Sequence, residues 1–166
     1  PVGDGVRAFN EMYLVTTQHV DAAIAGAQFA DSEFMTRLDV HFANLYLIAL
    51  AQHDAGSEAS ARSWRALFDD RARPGISQLQ FAIAGMNAHI NFDLPRALVL
   101  TTRELGGELD DARRTDYLAV NQVLARTQPI VQRELLTGPF AALDQGLGTG
   151  TTGSRCWGSN SPGSSR

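Results

Sequence analysis

The chain has 166 residues, of which 44% are apolar, and its 14 basic and 18 acidic side chains give a net charge of -4. That length and apolar share suffice for one domain with a substantial core, and an acidic balance without a basic cluster argues against nucleic acid as a partner. The single cysteine, Cys156, excludes an internal disulfide and fits a cytoplasmic protein. No apolar run reaches the about 20 residues that a membrane-spanning helix needs, so we expect no membrane association.

Apolar residues recur at three- and four-residue spacings along the first part of the chain, which predicts helices. The first helix covers about residues 6–24. The second is capped by Asp31 or Ser32. A third starts at Ser57 and ends before Pro74, because the residue before a proline is disfavoured in the α conformation.

The fourth helix carries the most regular pattern of the chain. Small residues, Ala82, Gly85 and Ala88, form one side and allow another backbone to approach closely, which favours a central position beside the second and sixth helices. The other side is an apolar stripe that we expect to face neighbouring helices. The stripe consists of Ile76, Leu79, Ile83, Met86 and Ile90.

Two more helices follow. The fifth spans about residues 94–105 and ends at a Gly-Gly pair, a common helix stop. The sixth is capped by Asp110 or Asp111, bends at Pro129, and ends before Gly138.

The sequence therefore predicts an all-α fold, a compact bundle of about six helices with a kinked central helix. No alternating pattern typical of strands occurs. The helical domain covers residues 1–143. Residues 144–166 are rich in Gly, Ser and Thr, and they are predicted to form a disordered tail because they cannot bury enough apolar surface to offset their ordering entropy.

An unusual polar cluster interrupts the fourth helical pattern: Asn87, His89, Asn91 and Asp93 precede Pro95. At about 100° per residue, His89 and Asp93 lie one turn apart on one flank of the apolar stripe. The two asparagines pair in the same way on the other flank. This cluster is the candidate functional site.

One interpretation of the cluster is architectural. Pro95 lacks an N–H and crowds the carbonyl group of Asn91, so a helix here kinks or restarts. The freed backbone groups then need partners. Asp93 can cap the restarted helix, while His89 and the asparagines bind groups exposed at the bend. The chain would then be a non-catalytic helical interaction module.

The other interpretation is a small-molecule binding or acid/base site. A kinked inner helix opens a concavity, and an imidazole oriented by a carboxylate is the minimal proton-transfer pair. His89 and Asp93 are the catalytic candidates. The ligand-binding candidates are Asn87, Asn91, Asp39 and Tyr46.

A metal centre is the weaker alternative for the same residues. His89 and Asp93 supply only two ligands, and neither an HExxH nor a Glu-x-x-His motif is present. The sequence thus predicts no metal site and indicates no cofactor. Further ligands would have to come from Asp39, His41, His53 or Asp116.

Residues 87–95 (NAHINFDLP) form a long motif that resembles an actinobacterial family of unknown function, DUF5995. The resemblance covers about residues 13–143. It implies a helical domain of unassigned activity in which the four polar side chains of the cluster match the family motif. It also implies a further helical segment, rich in Trp, Arg and Ala, where this chain has its tail. Two shorter motifs accompany the long one: Leu38-Asp39 with Phe42-Ala43 and Tyr46, and Asp116-Tyr117 with Val120-Asn121.

Overall fold

A computed structural model describes residues 4–137 of the chain, and within them six α-helical segments and no strand are present. A π-helical turn at His89–Asp93 joins the fourth segment to the fifth, so these form one continuous helical element and the helical elements number five. The predicted all-α fold is confirmed, whereas the predicted tail at 144–166 lies outside the described residues. The segments are α1 (Gly5–Ala25), α2 (Ser32–Asp54), α3 (Arg62–Asp69), α4 (Gln78–Ala88), α5 (Leu94–Glu104) and α6 (Asp111–Thr137).

Side-chain caps fix where several helices begin. The Asp4 carboxylate accepts the Val6 N–H at the start of α1, and the Asp31 carboxylate accepts the Phe34 N–H at the start of α2, as predicted. At α4, Ser77 and Gln80 form a reciprocal capping box, which satisfies two backbone donors that the first helical turn leaves free. No helix of the described residues is long and apolar enough to cross a membrane.

The third helix starts later than the sequence predicted. It begins at Arg62 rather than Ser57, and the intervening residues form turns. The reason is visible at Ser60, whose buried hydroxyl donates to the carbonyl oxygen of Ala49 in α2 at 3.0 Å. This bond ties the segment before α3 to α2 instead of letting it continue as helix.

Helix α1 lies at the centre of the packing. It contacts α4 and α6 extensively, while α2 packs mainly against α5. The prediction that the second, fourth and sixth helices form the centre was therefore wrong for α6, since α1 lies between α4 and α6. Two buried clusters result, one built around Phe9, Trp64 and Phe68, the other around Phe34 and Phe42.

The predicted apolar stripe is only partly buried: Leu79, Met86 and Ile90 are half-buried, but the other two members face solvent, contrary to prediction. Ile83 is 50% exposed and Ile76 is 38% exposed, whereas Phe81 and Gly85 are buried. A Cβ at Gly85 would lie 2.5 Å from the Phe9 ring, so the glycine lets this large ring of α1 press against the helix backbone. Burying aromatic rings against the small-residue side thus outweighs burying the aliphatic stripe.

Candidate functional site

The π turn, His89–Asp93, forms where the sequence predicted a kink. The Leu94 N–H donates to the carbonyl oxygen of His89, five residues back, and Pro95 follows at the start of α5 without an N–H to donate. A turn of this kind holds one more residue than an α-helical turn, and such turns are frequent at functional sites. It places His89 and Asp93 inside the bundle.

His89, Asp93 and Trp64 form a buried hydrogen-bonded group, and each of the three is 0% exposed. The imidazole Nδ1 of His89 lies 2.9 Å from Asp93 Oδ2, and the Trp64 indole N–H donates to the same oxygen at 2.7 Å. Because an ionised carboxylate only accepts hydrogen bonds, Nδ1 carries the proton and Nε2 carries the free lone pair. The structure thus brings together the pair that the sequence singled out.

Asp93 does not cap α5 with its side chain, contrary to one sequence-based expectation. Its Oδ2 is used by His89 and Trp64 instead. The other oxygen, Oδ1, makes no hydrogen bond within the described residues, and the half-exposed guanidinium of Arg96 lies 3.9 Å from it. The carboxylate is therefore fixed on one side and faces a cation on the other.

Aromatic rings enclose the His89 imidazole. Phe42 stacks on it at 3.6 Å between ring centroids with 7° between the planes, and Tyr13 meets it edge-on at 4.9 Å. Trp64 and two further rings lie within 6.0 Å. His89 thus lies at the junction of the two core clusters.

Burial lowers the pKa of His89 below its ordinary value, and the Asp93 carboxylate opposes this shift through a hydrogen bond and its charge. The imidazole is consequently neutral near pH 7. Its Nε2 is buried and has no hydrogen-bond partner among the described residues. The combination is a fixed neutral base whose lone pair is not used by the protein.

Asn87 and Asn91 are exposed and contact each other rather than the buried pair. The Asn91 side-chain amide donates to the Asn87 side-chain oxygen at 2.6 Å and to the Asn87 carbonyl oxygen at 3.0 Å. The latter bond satisfies a backbone acceptor at the helical irregularity. The structure therefore does not bring the two asparagines to His89 and Asp93.

Tyr46 and Asp39, the ligand-binding candidates from α2, occupy different surroundings. The Tyr46 ring is buried and packs edge-on against Phe9, and its hydroxyl donates to the Asn10 side-chain oxygen. Asp39 instead lines a cavity of about 20 Å³ together with Tyr13 and Phe42. That volume is enough for about one water-sized group. The remaining walls are Thr16, Thr17, Val20, Met35, Leu38, Leu94, Val120 and Leu124.

Phe42 and Tyr13 lie between this cavity and His89, because each lines the cavity and also contacts the imidazole. The sequence analysis named Asp39 as a site candidate, named Phe42 only as part of a family motif, and did not single out Trp64. A buried tryptophan needs a hydrogen-bond partner for its indole N–H, and this need was the one signal that could have drawn attention to Trp64.

The pKa of Asp39 is raised to about 6, first because burial disfavours the charged form and second because the Asp21 carboxylate on α1 repels it. The cavity therefore contains a carboxylate that is charged near pH 7 at a cost in folding free energy.

Asp39→Asn is expected to stabilise the protein at neutral pH. An unfolded aspartate titrates near pH 4 and folded Asp39 near 6, so between these values the native chain holds a proton that the unfolded chain has released. Stability therefore falls as the pH rises through this window. At pH 7.5 the variant should gain about 2–3 kcal/mol from removal of the penalty, at about 1.4 kcal/mol per pKa unit, and at pH 4 almost nothing. Urea denaturation at both pH values measures this.

Glu108→Gln is the matched control, because it also removes one negative charge but at an exposed position. It should give no pH-dependent gain in the free energy of unfolding. Equal stability of Asp39→Asn and the parent at pH 7.5 would contradict the expectation.

The other histidines and acids considered as metal ligands lie in separate interactions. His41 pairs with Glu104, and His53 pairs with Asp69 at 3.0 Å. Asp116 accepts the backbone N–H groups of two residues before α2. In the described part of the chain, no three His, Cys, Asp or Glu side chains are grouped as metal ligation requires.

Comparison with known proteins gives one match. A family model described as "Family of unknown function (DUF5995)" matches residues 1–155, a range that includes the π turn and all residues lining the cavity. No curated protein and no solved structure matches the chain.

Proposed function

We propose that the chain, which belongs to the family of unknown function DUF5995, binds a small, mainly apolar molecule next to the π turn and exchanges a proton with it through His89. Asp93 holds the imidazole in one tautomer. Asp39 and Tyr13 provide the polar contacts at the cavity. Asn87 and Asn91 lie outside this site and serve to complete the helical turn.

The observation that carries the proposal is the unused Nε2 of His89. Buried polar atoms nearly always have a hydrogen-bond partner, so an unpaired imidazole nitrogen in a completely buried ring calls for an explanation. The ring is also oriented by Asp93, which is itself held by Trp64. A nitrogen fixed in this way, with its lone pair free, has the properties of a general base.

The adjoining cavity supports a route for the ligand. Its walls are almost entirely apolar apart from Asp39 and the hydroxyl groups of α1. Two rings, Phe42 and Tyr13, touch both the cavity and His89. Rotation of Phe42 would connect them, and we infer that the ligand reaches Nε2 in this way.

Native-state labelling of histidine tests the proposal without knowledge of the ligand. Diethylpyrocarbonate reacts with an accessible imidazole, so exposed His19 should be labelled at once. His89 should be labelled slowly, through a local opening with a free energy well below that of global unfolding. The labelling rate measured by mass spectrometry at increasing urea then depends only weakly on denaturant. If His89 reacts only by global unfolding, with the full denaturant dependence, the site is permanently closed and the proposal fails.

A separate observation favours the alternative of a non-catalytic helical interaction module. Two apolar side chains of the predicted stripe, Ile76 and Ile83, are exposed at the surface. In that case the His89 group fixes the packing of the core, as buried polar networks can do. The labelling experiment separates the two functions, because a purely architectural His89 needs no opening.

A further inference from the structure

The outward side of α5, together with the π turn before it, combines apolar and basic side chains. Its members recur at three- and four-residue spacings, and every one of them is exposed. Phe92 and Val99 are nearly half exposed. We name this surface the α5 face; it consists of Phe92, Pro95, Arg96, Val99, Leu100 and Arg103.

Two contacts show that these side chains share one surface. Five of the six line a single surface groove, and the guanidinium of Arg96 lies over the ring of the sixth, Phe92, at 5.5 Å from its centroid. Arg96 and Arg103 are seven residues apart, which is about 10 Å along a helix axis. Val99 and Leu100 lie between them in the sequence. The face therefore has an apolar middle with a cation at each end.

The charge of the α5 face is positive. Arg103 forms no ion pair with any of residues 4–137. Arg96 lies 3.9 Å from Asp93, the single acid of residues 92–103, which is buried. The next acid along the chain, Glu104, pairs with Arg37 of α2 at 3.4 Å. The exposed groups of the face thus offer cations and no carboxylate to a partner.

This combination selects among the possible occupants. A second copy placed face to face would bring four guanidinium groups together, and like charges across an interface are unfavourable. Anionic membranes are recognised by clusters of about 4–8 basic residues, whereas this face has two and the chain has a net charge of -4. An acidic amphipathic helix matches both the apolar middle and the two cations.

We propose that the α5 face binds an acidic amphipathic helix of another protein. Apolar side chains of that helix cover Val99 and Leu100, and its carboxylates pair with Arg96 and Arg103. The two carboxylates then lie about two turns apart on the partner. The face does not include His89, so this binding is independent of the proposed proton exchange.

Two synthetic helical peptides of about 18 residues, or five turns, test the proposal on the full chain. Both carry a leucine stripe at three- and four-residue spacings, flanked by glutamates in one peptide and by lysines in the other. Fluorescence anisotropy of the labelled peptides should show saturable binding of the glutamate peptide. The lysine peptide should bind at least about tenfold more weakly, because it meets Arg96 and Arg103 with like charge.

Variants of the α5 face locate the binding. Arg103→Ala should weaken binding of the glutamate peptide about tenfold, and Val99→Ala should also weaken it because apolar contact is lost. Two matched controls on other helices, Arg62→Ala on α3 and Val40→Ala on α2, should leave the affinity unchanged. All four side chains are exposed, so the variants should fold, which circular dichroism verifies.

Absence of binding by the glutamate peptide, equal binding of the two peptides, or an unchanged affinity of Arg103→Ala would overturn the proposal. Cosedimentation with vesicles of phosphatidylcholine and phosphatidylserine, if Val99→Ala abolishes it, would assign the α5 face to a membrane instead. Self-association in sedimentation velocity that Val99→Ala abolishes would assign it to a second copy. We expect neither behaviour.

Discussion

Asp93→Ala is expected to lower the free energy of unfolding by about 2–6 kcal/mol, because it leaves two buried hydrogen-bond donors without an acceptor. The substitution leaves the Trp64 indole N–H and the His89 Nδ1–H without an acceptor in a core where neither can reach solvent. Each orphaned donor carries a desolvation cost of about 1–3 kcal/mol. Equilibrium unfolding in urea, followed by tryptophan fluorescence and circular dichroism, measures the loss.

Two control variants show whether the loss of stability comes from the lost hydrogen bonds rather than from the smaller side chain. Asp93→Asn keeps one acceptor oxygen for Trp64 and should lose markedly less stability than Asp93→Ala. Asn91→Ala removes an exposed polar side chain that bonds to Asn87, one helical turn earlier. Its free energy of unfolding should stay within about 1 kcal/mol of that of the parent. A loss below about 1 kcal/mol for Asp93→Ala would mean that the pair is not buried as described.

Phe42→Ala is expected to destabilise the protein by about 3–5 kcal/mol, because it deletes a large buried ring and leaves a cavity. It also removes one of the two rings, Phe42 and Tyr13, that lie between the existing cavity and His89. The enlarged space is mostly apolar, so it should bind benzene, as engineered apolar cavities do. Benzene should therefore raise the melting temperature of the variant and not that of the parent protein, which differential scanning calorimetry measures.

The same variant should make His89 react faster with diethylpyrocarbonate. Val40→Ala, on the exposed side of α2, is the control and should change neither the benzene response nor the labelling rate. If Phe42→Ala gains no benzene response and His89 reacts no faster, the ring does not separate the cavity from the imidazole.

The sequence predicted the His89 and Asp93 pair because the pairing is local. Side chains four residues apart on a helix are neighbours whatever the tertiary fold, and the π turn does not separate them. Trp64 is 29 residues from Asp93 in sequence, and nothing in residues 87–95 indicates that the two side chains are in contact. Contacts of this kind depend on how helices pack, which periodicity alone does not determine.

The orientation of α4 is a second case in which periodicity alone did not determine the packing, because here a clear pattern predicted the wrong buried face. A regular stripe at three- and four-residue spacing predicts the buried face only if the facing helix offers surfaces of similar size. Here α1 offers the Phe9 ring, and Gly85 provides the space for it, so the small-residue side is buried and Ile83 is exposed. The caps at Asp31 and Asp110 were predicted correctly because a cap involves only three or four consecutive residues.

The π turn also determines the rotational setting of α5. Each residue of an α-helix turns the chain by about 100°, so the additional residue between His89 and Leu94 decides which side of α5 faces α2. Ala97 and Thr101 are buried with this spacing. Deleting one residue from the turn would direct neighbouring, larger or charged side chains into the bundle instead. Length changes at this point should consequently disrupt the protein far more than similar changes in its surface loops.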